Sequence, residues 1–256
     1  MSPVLFTIGS FNVYAFGFFL SLAFLFSTFI VWKNAKEELA EEEYLDAFLY
    51  TSLASLIASR LGFILFHFNE FGLNFLKYIV VRETPGLSLV GGLFGGFIFL
   101  FWYARRIKRN FWKLLDLFSL ASSFALILAK LGEQLGGAGF GRETNFFLGI
   151  KIIGLPGKHH PVELYEAFLL SILTLILYLI YKRVKRNILP EGLVASIFGI
   201  GLALIIFLLE FLKVYNLYLY GLSFRQVGVL ILLVAIVVPL IIKFKRRSQK
   251  NNENYT

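Results

Sequence analysis

Seven apolar stretches, each close to the length of a helix that crosses a lipid bilayer, dominate this chain of 256 residues. A transmembrane helix needs about 20 mostly apolar residues. The stretches cover roughly residues 11–32, 45–67, 87–104, 114–136, 161–181, 192–212 and 224–242. Hydrophobic residues make up 58% of the chain and its mean hydropathy is +0.75, well above the values of water-soluble domains. We therefore expect an all-α, polytopic membrane protein with seven transmembrane helices.

Basic residues predict the orientation of these helices. They concentrate after the first, third, fifth and seventh stretches, within 33–36, 105–113, 182–186 and 243–250. Cytoplasmic connections are enriched in lysine and arginine, so we expect the N-terminus outside the cell and the C-terminus in the cytoplasm. This flanking distribution also accounts for the net charge of +9, and we expect no nucleic-acid partner.

A single transmembrane domain is expected over residues 1–247, with a disordered polar tail at 248–256. Two long connections, 68–86 and 137–160, fall on the predicted outer side, and the second is rich in glycine. Such connections often carry binding and catalytic residues. The chain contains no cysteine, which excludes disulfides and thiol chemistry by the protein itself.

Two glycine pairs, Gly91-Gly92 and Gly95-Gly96, open the third apolar stretch. Because the pairs are four residues apart, a helix brings them onto one face without side chains. Another backbone or a lipid can approach such a face closely. The pattern leaves two interpretations open: a helix-packing face, or the floor of a lipid pocket.

Two cations lie near the predicted outer ends of apolar stretches, Arg60 in the second and Lys130 in the fourth. A charge at membrane depth is costly unless it faces the helix bundle or a wet cavity. Two cations at similar depth suit a phosphate head group, with Arg142 as a third in the following loop. The structural alternative is that Lys130 and Glu133, at i and i+3, neutralise each other.

The segment from His159 to Glu166 carries the densest set of polar groups. Pro161 suits the first turn of a helix, which would bring Glu163 and Glu166 onto one face. These glutamates either compensate the helix dipole or form the polar wall of an active site. With three histidines in the chain, neither a metal site nor a cofactor is expected.

Two further charges stand near the last stretches. Glu210 has Lys213 three residues later as an ion-pair partner, and Arg225 opens the final stretch, where its side chain can snorkel to head groups.

Seven motifs occur in a characteristic order along the chain. They are Pro3-Val4-Leu5-Phe6; Ala58-Ser59-Arg60-Leu61-Gly62; Gly86-Leu87-Ser88 with Gly91-Gly92-Leu93-Phe94-Gly95; Phe111-Trp112-Lys113-Leu114-Leu115-Asp116; His160-Pro161 with Leu164-Tyr165-Glu166; Leu209-Glu210-Phe211; and Leu222-Ser223 with Gln226. Their order and spacing resemble those of the bacterial prolipoprotein diacylglyceryl transferases, and the resemblance covers most of the chain.

The resemblance implies a multi-pass enzyme of the bacterial cytoplasmic membrane with an outward-facing active site. Such an enzyme moves a diacylglyceryl group from phosphatidylglycerol to the lipobox cysteine thiol in the signal peptide of a prolipoprotein. The residues that would then bind the phospholipid are Arg60, Lys130, Arg142, Gly91 and Gly92. The supporting residues would be Tyr165, Glu166, Glu210 and Gln226.

Several polar residues of the family's motifs are replaced in this chain. Val90 stands where the family has a histidine before the first glycine pair. Lys130 and Glu133 replace an arginine and an asparagine, Ala138 replaces a glutamate, and Ile206 replaces an arginine.

Because Val90 cannot accept a proton, an active enzyme would need its base elsewhere. The candidate catalytic residues are Glu133, His160 and Glu163. The alternative is a non-catalytic or repurposed phospholipid-binding membrane protein on the same fold.

Overall fold

Seven helices and one short β-hairpin make up the described part of this computed structural model. It describes residues 4–9, 11–66, 68, 86–137, 139–152, 155–214, 221–223, 225–234 and 236–237. The strands are β1 (Val4–Ile8) and β2 (Phe11–Tyr14). The helices are α1 (Ala15–Lys36), α2 (Glu41–Phe66), α3 (Leu89–Arg106), α4 (Phe111–Gly136), α5 (Val162–Lys185), α6 (Leu193–Glu210) and α7 (Arg225–Val234).

Five of the described helices, α1, α2, α4, α5 and α6, are long and apolar enough to cross a membrane. Large apolar side chains such as Leu25, Leu175 and Leu208 remain exposed along them, as suits helices surrounded by lipid. The predicted polytopic helical membrane protein is confirmed. Helix α3 has 18 residues. Of the seventh predicted span, 224–242, the structure describes 225–234 and 236–237, and α7 covers the first ten of these. Residues 238–242, His67 and the predicted tail at 248–256 lie outside the described residues.

The N-terminal hairpin differs from the sequence-based expectation. Strands β1 and β2 pair antiparallel, with Phe6 opposite Val13 and Thr7 opposite Asn12. Gly9 lies between the strands with a φ of 60°, a left-handed conformation that favours glycine. The first predicted span began at residue 11, but 11–14 form β2 and the helix starts at Ala15.

The chain divides into two compact units, Thr28–Phe118 on the one hand and Met1–Ser27 with Ser119–Thr256 on the other. We call the first the middle unit and the second the terminal unit. The single domain predicted for 1–247 stays a prediction.

Helices α2 and α3 pack against each other in the middle unit through small residues. A Cβ added at Gly91 would lie 2.9 Å from the carbonyl oxygen of Ala58, and one at Gly95 would overlap the Ala58 side chain. The Ser55 hydroxyl donates a hydrogen bond across the interface to the Gly92 carbonyl oxygen at 2.8 Å. The glycine face is therefore in contact with α2.

Helices α5 and α6 pack together in the terminal unit, with Leu170, Leu177 and Leu202 buried. A backbone bridge from Gly141 to Lys213 joins the loop after α4 to the residue just after α6, and a second bridge, from Glu143 to His159, joins two parts of the loop itself. The first bridge brings the loop to the C-terminal end of α6.

Candidate active site

A set of seven charged side chains gathers at one end of the helices of the terminal unit. We call it the charged cluster: Lys130, Glu133, Glu163, Glu166, Glu210, Lys213 and Arg225. Its members come from the C-terminal ends of α4 and α6, the N-terminal ends of α5 and α7, and the residues just after α6. The ion pairs between these ends connect all four helices.

Glu166 is the centre of the charged cluster and is only 1% exposed. Its Oε2 lies 2.8 Å from Lys130 Nζ, and its Oε1 lies 2.8 Å from Lys213 Nζ. Arg225 Nη2 approaches Oε2 at 3.8 Å. An ionised carboxylate is costly to bury unless cations compensate it, and three cations surround this one.

Glu163 lies one turn before Glu166 on α5 and is 2% exposed. Its Oε1 is 3.0 Å from Lys213 Nζ, whereas its buried Oε2 has no hydrogen-bond partner among the described residues. A Cβ added at Gly139 would run into this carboxylate, so the glycine-rich loop lies directly against it. Glu163 is thus a buried carboxylate with one oxygen that can still accept a hydrogen bond or a proton.

Glu210 connects α6 to the start of α7. Its Oε1 accepts a hydrogen bond from the Ser223 hydroxyl at 3.1 Å, and its Oε2 lies 3.4 Å from Arg225 Nη1. Gln226 accepts from the Ser223 backbone N–H at 2.9 Å and donates to the Phe207 carbonyl oxygen at 3.2 Å. Glu210 and Gln226 therefore fix the N-terminal end of α7, where Arg225 begins the helix.

The loop between α4 and α5 adds the two described histidines. The His159 ring nitrogens face the carbonyl oxygens of Gly141 and Pro156 at 2.9 and 3.0 Å, so this side chain holds the loop. His160 Nδ1 lies 3.4 Å from the Tyr165 hydroxyl. Gly141 is closely surrounded, since an added Cβ would meet His160, Val162 and the Leu212 carbonyl oxygen at 2.7 Å.

Arg142 lies beside the end of α6. Its backbone N–H donates to the Leu212 carbonyl oxygen at 2.8 Å, and its exposed side chain reaches the Lys213 carbonyl oxygen at 3.4 Å. Of the predicted phosphate-binding residues, Lys130 and Arg142 thus belong to the terminal unit.

The remaining predicted phospholipid-binding residues belong to the middle unit. Arg60 donates a hydrogen bond to the Gly86 carbonyl oxygen at 3.0 Å and lies over the Phe63 ring. Gly91 and Gly92 contact α2, which is the packing arrangement that the sequence left as one of two interpretations. Their role in lipid binding stays a prediction.

Residue spacing in the sequence predicted one ion pair of the charged cluster, that of Lys130 and Glu133, but not the pairs of Lys213. Lys130 and Glu133 do pair at i and i+3, with 2.5 Å between Nζ and Oε2. Lys213 instead extends to Glu163 and Glu166 on α5. The residue at the N-terminus of α5, Pro161, makes no side-chain cap, and Glu163 and Glu166 are paired with lysines. Glu163 also lies in the first turn of α5, where a carboxylate compensates the helix dipole, so both interpretations of these glutamates stay predictions.

The chain is similar to a known protein family over most of its length. The family model for prolipoprotein diacylglyceryl transferase matches residues 3–242. The chain belongs to the prolipoprotein diacylglyceryl transferase family.

Relatives of known name align with most or nearly all of the chain. A protein of Photobacterium profundum named phosphatidylglycerol–prolipoprotein diacylglyceryl transferase is 30% identical over 220 residues, 83% of this chain and 80% of the relative. A protein of the same name from Finegoldia magna is 25% identical over 254 residues, 99% of this chain and 100% of the relative. As a diacylglyceryl transferase family member, the chain is therefore similar to proteins named as transferases that act on phosphatidylglycerol and a prolipoprotein.

Four replaced motif positions of this family member are described, and two of them, Lys130 and Glu133, belong to the charged cluster. Val90 lies in the first turn of α3, and Ile206 is buried in α6 one turn before Glu210. Ala138 lies outside the described residues. Sequence reasoning missed Lys213 and Arg225 as members of the charged cluster. Their positions just after α6 and at the start of α7 were the available signal, because alternating helices bring such ends to the same side.

Proposed function

We propose that this protein transfers the diacylglyceryl group of phosphatidylglycerol to the cysteine thiol of a prolipoprotein. The family match over residues 3–242 and the names of the relatives support this reaction. The charged cluster is the proposed site of this reaction, because its carboxylates Glu163 and Glu166 are buried among apolar helices. Intramembrane charges of this kind mark functional sites more often than structural ones.

The proposed setting is the bacterial cytoplasmic membrane, with the charged cluster towards the outer face. The cluster includes the N-terminal end of α5, whereas Lys182, Arg183 and Lys185 stand at the C-terminal end of the same helix. Since basic residues favour the cytoplasmic side, the end of α5 with Glu163 is expected outside. A signal peptide that has crossed the membrane would meet the cluster there.

Glu163 is the proposed proton acceptor among the three candidates. Glu133 already pairs with Lys130, and His160 faces the Tyr165 hydroxyl. Glu163 keeps one carboxylate oxygen without a partner among the described residues, next to the glycine-rich loop. A general base needs an oxygen that can accept the proton, and Glu163 Oε2 has no other hydrogen-bond partner among the described residues.

The proposed reaction is a displacement at carbon. Glu163 Oε2 accepts the proton of the lipobox cysteine, and the thiolate sulfur forms a C–S bond with the diacylglyceryl carbon that carries the phosphate ester. The C–O bond to the phosphate breaks, its electron pair stays on oxygen, and glycerol phosphate leaves. Cations favour this departure because negative charge grows on the leaving phosphate.

Lys130 and Arg142, both in the terminal unit, are proposed to bind the phosphate, whereas the role of Arg60 in the middle unit stays a prediction from the sequence. Lys130 already bridges Glu133 and Glu166, so a phosphate would have to take the place of one of these carboxylates. Arg142 is exposed beside the charged cluster and can approach a head group without such an exchange. Tyr165, by its contact with His160, is proposed to support the loop.

Transfer by the purified, full-length protein tests this function. The protein is reconstituted in vesicles of phosphatidylglycerol and given a lipobox-cysteine peptide, and mass spectrometry follows the thioether-linked product. We expect product with the cysteine peptide and none with its serine counterpart. Glu163→Gln should slow transfer by about 10²–10⁴-fold, the usual contribution of a general base. Glu42→Gln, an exposed change in the first turn of α2, is the matched control.

Two outcomes would contradict the proposal. A folded wild-type protein that forms no thioether product would favour the alternative, a non-catalytic or repurposed phospholipid-binding protein. If transfer occurs but Glu163→Gln matches Glu42→Gln, the base lies elsewhere in the chain.

A further inference from the structure

The two lysines of the charged cluster are each held between two carboxylates. Lys130 Nζ lies 2.5 Å from Glu133 Oε2 and 2.8 Å from Glu166 Oε2. Lys213 Nζ lies 3.0 Å from Glu163 Oε1 and 2.8 Å from Glu166 Oε1. Their side chains are only 9% and 14% exposed. An incoming anion would have to displace a carboxylate from either lysine.

Arg225 is the exception within the charged cluster. Its guanidinium nitrogens lie 3.4 Å from Glu210 Oε2 and 3.8 Å from Glu166 Oε2, farther than the 2.7–2.9 Å of a strong charge-assisted hydrogen bond. Its side chain is 28% exposed, the largest value among the three cations of the cluster. A guanidinium carries five N–H donors in a planar fork, so these two long contacts leave donors for another acceptor.

The charge balance of the cluster favours the same residue. Fully ionised, it holds one more carboxylate than cations, since Glu133, Glu163, Glu166 and Glu210 face Lys130, Lys213 and Arg225. A phosphodiester is repelled by surplus negative charge unless it meets a cation directly. The phosphodiester can meet a cation directly at Arg225, which is the most exposed cation of the cluster and has the longest contacts to carboxylates.

We propose that Arg225 binds the phosphate of the donor phospholipid through two parallel N–H···O contacts. The assignment rests on the proposed function for the reaction that follows binding. As the C–O bond breaks, the phosphate passes from a diester with one negative charge to a monoester that carries more. The guanidinium contact therefore strengthens towards the transition state, so its loss lowers kcat more than it weakens binding.

Three variants of the full-length protein test the assignment. Binding of dioctanoyl phosphatidylglycerol to detergent-purified protein gives Kd, and transfer in vesicles gives kcat. Arg225→Gln is expected to raise Kd about 10-fold and to lower kcat about 100-fold. Arg225→Lys keeps the charge but loses the planar fork, so intermediate values are expected. Arg183→Gln, an exposed arginine at the other end of α5, should leave both values unchanged.

The results separate this assignment from the proposed function. If the wild type binds the lipid, Arg225→Gln weakens binding and no thioether forms, the reaction is wrong and the binding role stands. If transfer occurs while Arg225→Gln equals Arg183→Gln in Kd and kcat, the role of Arg225 is overturned. Should Arg225→Gln fail to fold, Arg225→Lys decides, because wild-type Kd and kcat in that variant would contradict a bidentate phosphate contact.

Discussion

Glu166 is the residue on which the charged cluster depends most. Its removal would leave Lys130 and Lys213 buried with one carboxylate each. Breaking a buried ion pair costs about 3–5 kcal/mol because the remaining charge is uncompensated. We expect Glu166→Ala to lower the free energy of unfolding by this amount and the apparent Tm in detergent by about 10 °C. Thermal unfolding followed by intrinsic fluorescence measures it.

Glu133→Ala provides the comparison for Glu166→Ala. Glu133 pairs with Lys130 alone among the described residues, and its side chain is 32% exposed. Partly exposed ion pairs contribute at most about 1 kcal/mol, so this variant should unfold within a few degrees of the wild type. Equal destabilisation by the two substitutions would show that Glu166 is not the centre of the cluster.

At the same scale, the sequence predicts local pairs better than distant ones. The i and i+3 spacing predicted the ion pair of Lys130 and Glu133. The same rule paired Lys213 with Glu210, yet Lys213 reaches Glu163 and Glu166 on another helix. A spacing rule describes one helix, whereas the neighbours of a helix end depend on how several helices pack.

At the scale of elements, the contact between α2 and α3 depends on glycine. A Cβ at Gly95 would overlap Ala58, so Gly95→Ala forces the two helices apart. Overpacking of this kind costs about 1–3 kcal/mol. Gly17→Ala in α1 is the matched control, because an added Cβ there meets nothing within 4 Å. Alanine favours a helix, so this control should be neutral or up to about 1 kcal/mol more stable.

The same thermal unfolding assay distinguishes the two glycine variants. A Gly95→Ala protein as stable as Gly17→Ala would mean that the helix-packing interpretation of the glycine face is wrong. A loss of stability in Gly95→Ala with unchanged lipid binding would leave packing as the sufficient reason for these glycines.

The sequence predicted the positions of the helices better than it predicted the N-terminal β-hairpin. Long apolar runs predicted α4, α5 and α6 to within a few residues, because a span needs a fixed length of apolar sequence. The hairpin of Val4–Ile8 and Phe11–Tyr14 was not predicted. Its residues are as apolar as the helix that follows, so hydropathy alone does not separate strand from helix there.

For the whole molecule, the charged cluster and the basic helix ends define opposite poles of the terminal unit. Glu163 and Lys185 stand near the two ends of α5, a helix of 24 residues. Such a helix is about 36 Å long, enough to cross the bilayer, so its ends face different compartments. If the basic pole is cytoplasmic, the cluster can receive a lipid and a translocated precursor from outside.

Cysteine labelling in intact cells tests this orientation, and the absence of native cysteine removes background. We expect Leu148→Cys, in the exposed loop before α5, to react with a membrane-impermeant maleimide in intact spheroplasts. Ile188→Cys, exposed just after α5, should react only once the membrane is permeabilised. The reverse pattern would put the charged cluster in the cytoplasm, where a prolipoprotein thiol on the outer side could not reach Glu163. Labelling of both positions before permeabilisation would mean that α5 does not span the bilayer.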